Sequence, residues 1–165
     1  NEVIELVDAN KAAIQKEAKT LAANIHNKQV VIYAEQSLEG VAVRFRQQIN
    51  ENAKELCWHH VLPEMNHNEL VGWAGGNKNQ AVIKLNSSLD FYRTQKRWDI
   101  CKEVIAKYTD SIYEIEAKGS AKLVQILYLI NLTDWVSVFL ADLKNVDSLE
   151  VGVILHLKTE LGKLK

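Results

Sequence analysis

At 165 residues, 47% of them hydrophobic and 25% charged, with a net charge of −1, the chain has the make-up of an ordinary globular domain. That length suits one domain with a full core and is short for two, so residues 1–165 are expected to form a single domain. Lysines and arginines are interspersed with acids and no run of roughly 18 apolar residues occurs, so neither nucleic acid nor a membrane is an expected partner.

The opening NEVIELVDANK is amphipathic and acidic, unlike a signal peptide. Two cysteines, Cys57 and Cys101, without a CxxC pair fit a reducing compartment, and a cytoplasmic location is expected. Apolar residues at helical spacing, Val3, Leu6, Val7, Ile14, Ala18, Leu21 and Ile25 among them, predict an amphipathic helix over 3–25. QVVIYA, 29–34, is a β-branched run that predicts a buried strand. Ser37 can cap a helix that continues through 53. ELCWHHVL, 55–62, predicts a second strand stopped by Pro63, and 66–73 a short helix ended by Gly75, Gly76 and Asn77. AVIKL, 81–85, is a third strand, 92–107 a helix, and SIYEIEA, 111–117, a fourth strand. A long buried helix opens at Gly119 or Ser120 and runs to about 143; its apolar stretch is interrupted by Gln125, Asn131, Thr133 and Asp134. A last helix over 149–164 carries Val153, Leu157 and Leu161 on one face. Strands alternating with helices imply βαβ units, a parallel sheet covered on both sides, and a ligand beyond the carboxyl ends of the strands.

Chemistry-bearing residues crowd into NENAKELCWHHVLPEMNHNELVGW, residues 50–73. Taken alone, Glu51 reads as a solvated carboxylate on a helix face and His67 as a surface or capping residue, with Asn66 or Asn68 able to cap the short helix. Cys57, His59, His60, Glu64, His67 and Glu69 are metal-ligand types at poor spacing. His59 and His60 are neighbours on a strand and point to opposite faces, and no HExxH is present, so no metal is expected. There is no GxSxG, GxGxxG or P-loop pattern, and no cofactor is expected. AEQSLEG and NSSLD could offer hydroxyls and backbone N–H groups at a helix start, a weak phosphate signal. Trp73 and Trp135 read as core rather than as a platform for a sugar ring.

RFRQQINENAK, PEMNHNELVGW, LTDWVSVFLADLKNVD and a closing HLK resemble the second half of bifunctional phosphoglucose/phosphomannose isomerases, in the sugar isomerase (SIS) group of the phosphoglucose isomerase superfamily. The resemblance runs from about residue 30 to 158 and implies an α/β fold, a three-layer α/β/α sandwich with a parallel sheet of about five strands. It implies that this is the C-terminal of two SIS domains, with the phosphate-gripping loop mainly in the first. Glu51 of NENAK would move a proton between C1 and C2 of the sugar through a cis-enediol. His67 of NHNE would assist ring opening from the neighbouring subunit of a dimer, and Lys158 of HLK would line the ring-opening site, with Lys163 and Lys165 weaker matches. The expected substrates are glucose 6-phosphate, mannose 6-phosphate or both, interconverted with fructose 6-phosphate. AEQSLEG, with Glu35 and Glu39, and NSSLDFYRTQKRWD depart from the family pattern and bear on substrate preference. The alternative is a non-catalytic domain that binds a sugar phosphate or serves in dimerisation.

Overall fold

The computed structural model describes residues 2–164. Four short segments become strands: β1 Gln29–Glu35, β2 Trp58–Leu62, β3 Gln80–Asn86 and β4 Ile112–Glu116. They pair in parallel in the order β2-β1-β3-β4, with Tyr33 of β1 opposite His60 of β2 and Lys84 of β3. The sheet therefore has four strands rather than about five. Past β4 the chain turns at Gly119, whose φ of 122° suits glycine, and every later element among the described residues is a helix.

Strand alternation sorts the core into two layers. Val30, Ile32 and Ala34 of β1 and Ala81, Ile83 and Leu85 of β3 face α1 Glu2–Ile25, α2 Glu39–Asn52 and α5 Lys122–Lys144. Val31, Tyr33 and Val82 face the other way, against Leu62, Met65 and Trp73 and against Trp98, Cys101 and Ile105 of α4 Tyr92–Ile105. Helices on both faces make a three-layer α/β/α sandwich. By length and composition α5 could cross a membrane, but its Tyr128, Leu129, Leu132, Val136 and Leu140 are buried in the first layer.

Three local expectations give way to side-chain contacts. β2 starts at Trp58 rather than 55, because Lys54 is left-handed (φ 54°), Asn50 Nδ2 donates to the Glu55 carbonyl at 2.6 Å, and the Glu55 carboxylate pairs with Lys144 at 2.7 Å. Those contacts curl 54–57 away from the sheet. The helix expected over 66–73 is a 3-10 turn, Glu64–His67, then the single α turn α3, Glu69–Gly72, and a second 3-10 turn, Trp73–Gly75. Asn68, at φ −135° and ψ −60°, breaks the spiral and caps α3 through Oδ1. Gly76 is needed where the Trp73 ring folds over it, since a Cβ there would lie 2.6 Å from the ring. Ser37 does not cap α2; the Glu35 carboxylate accepts from the Ser37 N–H and hydroxyl instead.

The last helix, α6 Gly152–Leu161, forms as expected, but Val153, Leu157 and Leu161 are 81%, 57% and 55% exposed. An amphipathic pattern records a face seeking cover, and no described residue covers this one.

Candidate active site

α2 leaves the carboxyl end of β1 and returns along the α1/α5 face of the sheet. At 14 residues it is about 21 Å long, which puts Glu51, in its last turn, at the amino end of the strands. The Glu51 side chain is exposed and makes no hydrogen bond or ion pair among the described residues. Its surroundings are firmly built. Lys54 Nζ donates to the Glu51 carbonyl at 2.6 Å and to the Glu150 carbonyl at 2.8 Å, satisfying an orphan carbonyl of the helix end and tying the lead-in of α6 to it. The helix itself is locked to α5: Arg44 forks onto Asp134 at 3.1 and 2.8 Å, and Asn52 donates to Ser137 at 2.8 Å. Gln48 and Asn52, flanking Glu51 in sequence, line a shallow groove of about 380 Å³ with Asn131, Asp134, Trp135 and Val138. A larger groove of about 540 Å³ lies between α1 and β4, away from both motifs.

His67 sits in the turn after β2, on the α4 face of the sheet. It is exposed and makes no side-chain hydrogen bond among the described residues. Its motif neighbours are all engaged. Asn66 donates to Cys101 Sγ of α4 at 2.7 Å, Asn68 caps α3, and Glu69 accepts from three side chains: Tyr33 Oη at 2.5 Å, Trp58 Nε1 at 3.1 Å and His60 Nδ1 at 3.0 Å. Trp73 Nε1 in turn donates to Tyr33 Oη at 2.9 Å. Burial and the adjacent Glu69 push the Tyr33 phenol well above its usual range, so it stays a donor.

Glu51 and His67 thus lie on opposite faces of one sheet, and no side-chain rotation brings them together within a chain. Lys158 stands in the last turn of α6, exposed and without an acidic partner among the described residues. The structure brings the approach to that helix to the Glu51 corner through the Lys54 tie. Lys163 pairs with Glu160 at 2.6 Å, and Lys165 lies outside the described residues.

The other candidates are occupied or buried. In NSSLD, Ser87 N–H donates to Asp90 at 3.2 Å, and Ser87 and Ser88 hydroxyls bind Gln125 at 2.5 and 2.8 Å. In AEQSLEG the Glu35 carboxylate fills the turn. Both loops at the carboxyl ends of β1 and β3 are therefore closed by the protein's own carboxylates and amides. Burial pushes the Cys57 thiol up to about 12 and also raises that of Cys101, the reverse of what a nucleophile needs. His60 reaches Glu69 on one face while His59 lies on the other, and among the described residues no group of three His, Cys, Asp or Glu side chains is placed to hold a metal ion. Trp73 is core; Trp135 is half-buried and stacked on Phe139 at 5.5 Å.

The sequence pattern of the family described as bacterial phospho-glucose isomerase C-terminal SIS domain matches residues 14–161. The chain belongs to that family. It is 34% identical over 161 residues to a bifunctional phosphoglucose/phosphomannose isomerase of Aquifex aeolicus, an alignment covering 96% of this chain and 50% of that protein. It is 30% identical over 149 residues to a protein of the same name from Thermoplasma volcanium, covering 89% of this chain and 48% of the relative. The chain spans about half the length of the curated relatives it matches. Its fold is similar to that of a glucose-6-phosphate isomerase like protein from Thermus thermophilus, with TM-score 0.69 and 23% identity over 85% of this chain and 46% of that one. It is also similar to the C-terminal domain of glucosamine-fructose-6-phosphate aminotransferase from Francisella tularensis, with TM-score 0.65 and 13% identity over 89% and 43% of the two chains.

The part played by Lys54 was not visible as such in the sequence, whereas Glu69, within its motif, reads from the sequence as a structural or supporting residue. Lys54 acts through main-chain oxygens, which leave no pattern. Glu69 had one further signal, a tyrosine in the middle of the otherwise apolar β1, whose buried hydroxyl requires a partner.

Proposed function

We propose that this SIS domain is the second half of an aldose–ketose sugar-phosphate isomerase that interconverts glucose 6-phosphate, mannose 6-phosphate or both with fructose 6-phosphate. In this reading Glu51 is the base that carries a proton between C1 and C2. A carboxylate suits that work, since each carbon in turn presents its hydrogen to the same side of a cis-enediol. His67 gives and takes protons as the sugar ring opens, and the Lys158 ammonium steadies charge on the ring oxygen.

The observation that carries the reading is the placement of the two motifs in a chain of this family. Glu51 and His67 are both exposed and without a side-chain partner among the described residues, on hydrogen-bonded supports, yet on opposite faces of the sheet. A single site needs both only if a second copy supplies one of them, so the reading includes a homodimer with His67 entering the neighbour's site. It also assigns the grip on phosphate to a preceding SIS domain, because the loops of this domain that could have held an anion are filled by Glu35 and Asp90. The exposed apolar side chains of α6 then have that first domain as their cover.

The test is subunit complementation in the two-domain protein. Glu51→Gln and His67→Ala are each expected to keep no more than about a hundredth of wild-type turnover as homodimers. Mixed and reassociated, they regain roughly a quarter of wild-type turnover, because half the dimers are hybrid and each hybrid has one intact site. No recovery, with hybrids demonstrated, removes the shared site. The isolated 165-residue chain is expected to show no turnover and weak or no binding of fructose 6-phosphate by calorimetry. Tight binding by it alone would favour a non-catalytic sugar-phosphate-binding domain.

A further inference from the structure

We infer that Glu69 is a positioning residue for His67: its carboxylate, gathering Tyr33, Trp58 and His60, holds the NHNE turn so that the imidazole two residues earlier projects at a fixed place. The inference rests on the functional reading of His67 given above. The turn has little apolar support of its own, since α3 has no buried residue and Val71 is 74% exposed. What holds it is a buried plug on each side, Met65 before His67 and Trp73 after it, and the polar hub at Glu69 between His67 and Trp73.

The hub reaches three parts of the sheet layer at once. Tyr33 is fully buried at the centre of β1, and Trp58 and His60 are two residues apart on β2, on the same face. Glu69 Oε1 accepts from Tyr33 and Trp58, and Oε2 faces His60 Nδ1. Donors from two strands fix the carboxylate in all three dimensions, and only the short segment through Asn68 separates it from His67. Asn66, bonded to Cys101 Sγ of α4, fixes the other side. Three of the four side chains of NHNE are thus committed to holding the turn, and His67 alone is left free to project.

A misplacement of about 1 Å in a reacting group can cost on the order of 10²-fold in rate. In the two-domain dimeric enzyme, Glu69→Ala is therefore expected to lower kcat about 30- to 100-fold with KM within about twofold of wild type. Glu69→Gln keeps an acceptor for Tyr33 and Trp58 and is expected to recover most of that loss. The decisive measurement is the double-mutant cycle: in a His67→Ala background, Glu69→Ala lowers kcat no further, because its effect passes through the imidazole. If the two losses multiply, or if Glu69→Ala leaves kcat unchanged while His67→Ala lowers it, the positioning role is overturned and the functional reading stands. If His67→Ala itself leaves turnover unchanged, both fall. Should Glu69→Ala not fold, Tyr33→Phe, which removes one donor from the hub, alone and in the His67→Ala background gives the same cycle with a smaller first step.

Discussion

Glu51 and Glu69 belong to the two motifs that carry this family's resemblance, and the protein treats them in opposite ways. Glu69 is clasped by a phenol, an indole and an imidazole; the Glu51 carboxylate makes no hydrogen bond or ion pair among the described residues, while its main chain is tied down. A carboxylate holding three donors is a structural anchor, because most of its lone pairs are already committed. One that is exposed on a rigid helix end can meet a ligand. The contrast teaches that motif membership does not assign a role; the partners of the side chain do.

The sharpest way to break that comparison is to neutralise the free carboxylate. Glu51→Gln in the proposed two-domain isomerase is expected to lower kcat by about 10²–10⁴-fold with little change in KM, measured by coupled assay with fructose 6-phosphate. Retained turnover would leave Glu51 no more than a solvated side chain. At the anchored glutamate the change is read in stability as well as in turnover. Tyr33→Phe leaves Trp73 Nε1 and Glu69 each short of a partner and is expected to cost about 1–3 kcal/mol in urea unfolding. Lys54→Met removes the cation from the end of α2 and should cost about 0.5–1 kcal/mol, with faster proteolysis around residue 150 as the more telling readout.

The smallest expected effect separates the two histidines of β2. Burial, reinforced by Arg46, holds the His59 imidazole below its ordinary value of 6.5. The unfolded chain therefore takes up a proton as pH falls through 6.5, and the folded chain only further down. In that window the unfolded state binds more protons, so this group's contribution to stability is present above pH 6.5 and declines below it. Thermal melts of wild type and His59→Gln should converge as pH falls from about 7.5 toward 5.5; parallel curves would show that His59 titrates alike in both states.

The strongest sequence signals matched the structure best. The β-branched run at 29–34, the helical period of 3–25 and the apolar length of α5 each report burial, and each appears within a few residues of its expected place. Where boundaries moved, at 54–57 and 64–75, they were set by contacts with residues far along the chain: Glu55 with Lys144, Asn66 with Cys101, Glu69 with Tyr33. No local period encodes such pairs. Glu51, His67 and Lys158 stood out only through resemblance to a family, since an unpartnered exposed side chain has no local signature. Read segment by segment, the sequence predicts four strands, the number found among the described residues; the expectation of about five came from the family resemblance.

Lys54 grips residues 51 and 150 by their carbonyl oxygens and ignores what hangs from either Cα. Main chain and side chain are thereby put to separate uses within one residue, with the peptide unit serving as fastening and the carboxylate left exposed. Evolution or an engineer can exchange the group at 51, for a longer, shorter or uncharged one, without loosening the joint that carries it toward α6.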